Sequence, residues 1–136
     1  MARCDYEELE HTAEVGLRVR ASTPAELFAC AASGMFALIG AQPGEQRTRH
    51  TVTVESSDAE SLLVDWLSEL LVWHERTGAI YDQPEITRWT PTRLEAILVG
   101  YAPRTPPATA IKAVTYHGLR LAEENGAWLA EIYFDV

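Results

Sequence analysis

Cysteine is scarce in this chain: Cys4 and Cys30 are the only two in 136 residues. Neither falls in a C-x-x-C pair or a Cys/His cluster, so a zinc site or a dithiol redox motif has no spacing to rest on. Both are read as reduced thiols. Long apolar runs are also missing, none reaching the roughly 18 residues of a membrane span, and the opening MARCDYEELE lacks the basic-then-apolar order of a secretory signal. The expectation is a soluble, cytoplasmic protein with no membrane partner. There is no fixed-period repeat, no low-complexity run, and no Walker loop, G-x-S-x-G elbow, H-E-x-x-H pair or dinucleotide fingerprint. The chain therefore offers no self-contained catalytic motif.

Positive charge is in deficit as well. Eleven basic residues face twenty acidic ones, a formal charge of −9, and the summed field of such a chain repels polyanions. Direct binding to RNA, DNA or an anionic membrane is disfavoured. A divalent cation, or a basic patch on another protein, would neutralise that charge on contact.

What is present is an ordinary globular composition, 47% hydrophobic and 23% charged. A chain of about this size buries roughly 70% of its unfolded surface, enough for a core without staples. One domain over residues 1–136 is expected, with the proline-rich Tyr101–Thr109 as a loop inside it.

Val15, Leu17, Val19 and Ala21 alternate with polar residues or glycine, the period of a half-buried strand, which pairs with Tyr6–Glu10. Thr23-Pro24-Ala25-Glu26 is a capping box, and the apolar stripe behind it predicts a helix over Pro24–Ile39, stopped by Gly40. Thr51–Glu55 reads as a short strand after a polar segment at Gln42–Arg49. Asp58 and Ser57-x-x-Glu60 start a second helix, with Leu62, Leu63, Trp66, Leu67, Leu70, Leu71 and Trp73 on its apolar face and Gly78 at its end. Ile80–Trp89 and Arg93–Tyr101 read as two strands, the first bent or placed at an edge by Pro84. Ala110–Ala122 and Ala127–Val136 form a hairpin around Asn125-Gly126. These patterns predict an α+β two-layer sandwich: one mixed, largely antiparallel sheet of six to eight strands with two helices packed on it.

Candidate chemistry concentrates in four places. Glu10, His11 and Glu14 lie in the turn between the first two strands, next to Gly16. Asp135 and Val136 close an apolar strand and put oxygen donors at one strand end; with Glu14 they form a set suited to a hard cation such as Ca²⁺ or Mg²⁺. In the Lys112–His117 stretch, alternation puts Lys112, Val114 and Tyr116 on one face and Ala113, Thr115 and His117 on the other. Lys112 can compensate a carboxylate cluster, and His117 can act as a ligand or an acid–base group. Asp65 and Glu69, four apart, share a helix face.

Several segments together resemble the archease family. They are Tyr6 to Gly16 with its His11-Thr12-Ala13-acid-x-Gly16 core, Glu26-Leu27-Phe28 with Ala31-Ala32, Leu62 to Leu71, Lys112 to His117, and the terminal Asp135-Val136. The resemblance implies a small protein cofactor of the GTP-dependent RNA ligase of tRNA splicing or RNA repair. Such a protein promotes the ligase's guanylylation and multiple turnover and is not itself the enzyme. It also implies a metal set of Glu14, Asp135 and Val136 and a functional lysine at Lys112. The family usually carries aspartate where this chain has Glu14, and the metal the resemblance implies is Ca²⁺ or Mg²⁺/Mn²⁺. Two other classes compete. One is a stand-alone metal-dependent hydrolase using Glu14 and Asp135 with His11 or His117; the other is a non-catalytic, acidic, chaperone-like interaction module.

Overall fold

The computed structural model describes residues 4–10 and 14–136. The elements run β1 (Asp5–Glu10), β2 (Glu14–Ala21), α1 (Pro24–Ile39), β3 (Pro43–Glu55), α2 (Ala59–Thr77), β4 (Glu85–Thr90), β5 (Arg93–Pro103), β6 (Ala113–Glu124) and β7 (Ala127–Asp135). Both helices begin on the caps that the sequence predicts. The Thr23 hydroxyl accepts from the Glu26 N–H at 3.2 Å and the Asp58 carboxylate from the Ser61 N–H at 2.7 Å. The helices end at Gly40 and Gly78, whose N–H groups donate to the Phe36 and His74 carbonyls.

The strands do not form one sheet. They divide into a four-stranded sheet in the order β1-β2-β7-β6 and a three-stranded sheet in the order β3-β5-β4, every named pairing being antiparallel. The α+β class stands, with two sheets where a single one is expected. The physical reason lies in β3, which is 13 residues long and takes in most of the polar Gln42–Arg49 segment. Arg47, Thr48 and Arg49 pair with Tyr101, Gly100 and Val99 of β5, so backbone pairing makes a strand where side-chain alternation is weak. Ile80 makes only an isolated bridge to Tyr101, and β4 begins just past Pro84, which has no N–H to donate to a ladder.

Both helices touch both sheets. Helix α1 packs on β1, β2 and β7 and also on β4, while α2 packs on β6 and on β3 and β5. The core between them contains Trp66, Tyr81, Phe28, Phe36 and Phe134, all fully buried. The Trp66 indole N–H donates to the Phe28 carbonyl at 3.0 Å, satisfying a polar group that would otherwise be stranded there.

Cys4 and Cys30 are joined by a disulfide, with Cα atoms 5.3 Å apart. This corrects the expectation of two reduced thiols. Chain spacing carries no information about the return of β1 along α1, and that return brings two positions 26 residues apart within disulfide reach.

Candidate functional site

The end of the four-stranded sheet where β2 starts and β7 finishes gathers most of the candidate residues. Antiparallel register places Glu14 directly opposite Asp135, and Asp135 opposite Ala113 at the start of β6. Lys112 precedes that strand, and its backbone N–H donates to the Asp135 carbonyl at 2.8 Å. It is the only lysine of the chain, and its side chain is exposed.

The connection from β5 is pinned on its way to this point. The Arg104 N–H donates to the Gln42 carbonyl at 2.7 Å. Ala108 and Thr109 donate their N–H groups to the Ile39 carbonyl at 2.8 and 3.1 Å, using an acceptor that the end of α1 leaves free. The loop thereby delivers Lys112 to the end of β7.

His117 reaches the same place by a less direct route. Between Thr115↔Tyr133 and Arg120↔Glu131, the four residues 116–119 of β6 face the single residue Ile132 of β7. This bulge breaks the simple alternation expected for Lys112–His117. It lifts His117 across β7, so that its Nδ1 lies 2.8 Å from Glu14 Oε1 on β2. The imidazole is 77% exposed and the carboxylate 18%.

Two glycines make the crossing possible. Gly118 in the bulge has φ +72, and a Cβ there would stand 2.8 Å from the Tyr133 ring. On the other flank, a Cβ at Gly16 would stand 2.6 Å from the same ring. Tyr133 therefore spans the gap from β2 to the bulge across two positions that carry no side chain. Gly118 and Tyr133 were not among the residues expected to matter. The available signal was a glycine inside a strand pattern, which often marks a bulge or a close approach.

Val136 lies on the other side of this sheet end. With Glu8, Val15, Leu38, Thr109 and Ile111 it lines a depression of about 120 Å³. His11 lies outside the described residues. Asp65 and Glu69 are on α2, in a separate shallow groove beside β3. Asp65 accepts from the Ser56 hydroxyl at 2.9 Å and Glu69 from the Trp73 indole at 3.1 Å.

Among the described residues, no three His, Cys, Asp or Glu side chains converge as a metal centre. Glu14 and Asp135 supply the oxygen donors that a hard cation takes. In this arrangement, however, one oxygen of Glu14 is held by His117. The donor chemistry fits a divalent ion, and binding one would require Glu14 to exchange that contact.

The outer face of the same sheet is laced by charge. Arg18 on β2 donates to Glu7 of β1 at 2.7 Å and to Glu131 of β7 at 3.2 Å, tying three strands together. Those hydrogen bonds, to Glu7 first and then to Glu131, raise the Arg18 pKa. No helix of the described chain is long and apolar enough to cross a membrane.

Among the described residues, two helices and seven strands make an α+β protein with a sheet end built from Glu14, Lys112, Asp135 and His117. The model of the Archease protein family (MTH1598/TM1083) matches residues 6–136, and the chain belongs to that family. It is 35% identical to the protein archease of Methanopyrus kandleri, over 96% of this chain and 99% of that one. It is 36% identical to the protein archease of Methanosarcina mazei, over 96% and 95%. The solution structure of Methanobacterium thermoautotrophicum protein 1598 superposes with a TM-score of 0.68 at 25% identity, covering 96% of this chain and 98% of that one. The crystal structure of a Thermotoga maritima protein described as an archease and possible chaperone shares the fold, with a TM-score of 0.70 at 21% identity and 96% coverage of each chain.

Proposed function

We propose that this protein is an accessory factor that activates a GTP-dependent RNA ligase of tRNA splicing or RNA repair by promoting its guanylylation and its multiple turnover. The carrying observation is the meeting at one sheet end of Glu14, Asp135, His117 and the tethered Lys112, from three separate stretches of the chain. Family membership supports reading an accessory role over independent catalysis, and the charge of −9 favours a cationic protein surface over RNA as the direct partner.

Glu14, Asp135 and Val136 are the residues that would hold a divalent cation, Ca²⁺ or Mg²⁺/Mn²⁺, which when bound supplies positive charge toward the oxygens of a nucleotide triphosphate. The chain's own groups do the remaining work. The Asp135 backbone is fixed on both sides, by its register with Glu14 and by the Lys112 N–H. The Lys112 ammonium is free to reach a phosphate or the neighbouring carboxylates. His117 holds the Glu14 carboxylate in one orientation until a partner arrives.

The test is guanylylation of purified ligase by GTP in the presence of Glu14→Ala, Asp135→Ala or Lys112→Ala protein, each verified as folded. Loss of stimulation in these variants is expected. Full stimulation by all three overturns the assignment.

A further inference from the structure

We propose that Cys4 and Cys30 form a reversible redox clamp that sets how closely β1 lies along α1 and, through it, the shape of the depression beside Val136. β1 is an edge strand whose only strand partner among the described residues is β2. Its sequence, DYEELE, carries four carboxylates in six residues, so little of its surface gains from burial. Its hold on α1 rests on a short row of contacts. Cys4 is bonded to Cys30. Two residues on, the Tyr6 ring lies against Gly34, where a Cβ would stand 3.2 Å from Tyr6 Cγ. Two residues further, Glu8 lines the depression shared by Leu38 and Val136.

The row stays matched because the two elements advance almost equally. Two strand residues cover about 6.7 Å and four helix residues about 6 Å. The disulfide therefore closes one end of a zip whose other end is the wall of the depression beside Val136.

The two sulfurs differ in access. Cys30 is 3% exposed, whereas Cys4 is only half-buried and precedes the edge strand. A low-molecular-weight disulfide such as oxidised glutathione is the oxidant. The Cys4 thiolate attacks one of its sulfurs, forming a mixed disulfide and expelling one thiolate. The deprotonated Cys30 then attacks the Cys4 sulfur and expels the second. Two protein thiols and one small disulfide become one protein disulfide and two small thiols, with two electrons leaving the protein. Excess small thiol reverses both steps. In a thiol-reducing compartment, a pair of this kind acts as a sensor more often than as a permanent staple.

The experiment equilibrates the full-length protein in glutathione buffers from fully reduced to fully oxidised, then reads thiols by alkylation and intact mass and backbone opening by hydrogen exchange. The pair is expected to interconvert completely within that range. On reduction, exchange at Asp5–Glu10 should rise about tenfold or more, accompanied by residues 109–111 and 134–136, with β3 and β5 unchanged. The melting temperature should fall by about 10 °C, as loop-closure entropy for this spacing implies. Cys4→Ser should reproduce the reduced behaviour without reductant. A pair that stays oxidised in the most reducing buffer, or reduced in the most oxidising one, overturns the clamp. So does β1 exchange that ignores the redox state. Loosening of β1 without change at 109–111 and 134–136 overturns the coupling to Val136. Any consequence for activity rests on the proposed function, but these readouts need no ligase, so the two ideas fail separately.

Discussion

Glu14 and His117 stand 103 positions apart in the chain and on strands separated by β7, yet the imidazole Nδ1 lies 2.8 Å from the carboxylate Oε1. That contact depends on a bulge which only a residue without Cβ at position 118 accommodates. Gly118→Ala should therefore be destabilising twice over, through a positive φ and through collision with the Tyr133 ring, by about 2–4 kcal/mol in urea unfolding. Gly126→Ala is the matched control, since φ is +79 there but nothing lies within 4 Å. It should lose only about 1 kcal/mol. Equal losses would remove the ring contact from the argument.

The helices and their ends were legible because capping chemistry is local: Thr23 and Asp58 each find a backbone partner three residues on. Glu14 and Asp135 were also legible as neighbours, since each ends a periodic strand and antiparallel pairing aligns strand ends. The His117 contact was not, because a period-2 reading assumes an unbroken ladder and β6 inserts extra residues. The division into two sheets was hidden for a related reason. Arg47–Arg49 lacks apolar alternation and is held as strand by its pairing with β5. The disulfide depends on a tertiary approach that no spacing along the chain reveals.

Asp82 supplies a pH prediction. Burial raises its pKa above the ordinary value of 3.8, against a weaker lowering by its own backbone. The stability associated with the neutral form is thus fully present below the unfolded pKa and is lost as pH rises through the folded one. At neutral pH the ionised carboxylate is a net burden. Asp82→Asn should raise the melting temperature at pH 7, with the gain shrinking toward zero near pH 3. A gain of equal size at both pH values would point to packing instead of charge.

Trp66→Phe tests the core. The indole is fully buried and donates to Phe28, a residue whose own ring meets Trp89 edge-on with centroids 5.6 Å apart. Substitution removes the indole donor to the Phe28 carbonyl and opens a cavity between α1 and α2. A loss of about 2–4 kcal/mol is expected by denaturant titration. A loss below about 1 kcal/mol would mean that the two helices close the gap.

His117→Ala separates positioning from stability. Its side chain is largely exposed, and exposed ion pairs contribute on the order of 0–1 kcal/mol, so unfolding by urea should scarcely change. Removing the imidazole nevertheless frees Glu14 to adopt other rotamers beside Asp135, and the proposed function requires that carboxylate to be presented in a defined way. Stimulation of ligase guanylylation should therefore fall severalfold at a fixed divalent-ion concentration. His117→Asn, which keeps a polar group on a shorter side chain, should recover part of it. If both variants stimulate as well as the parent protein, His117 is a bystander and Glu14 acts without it.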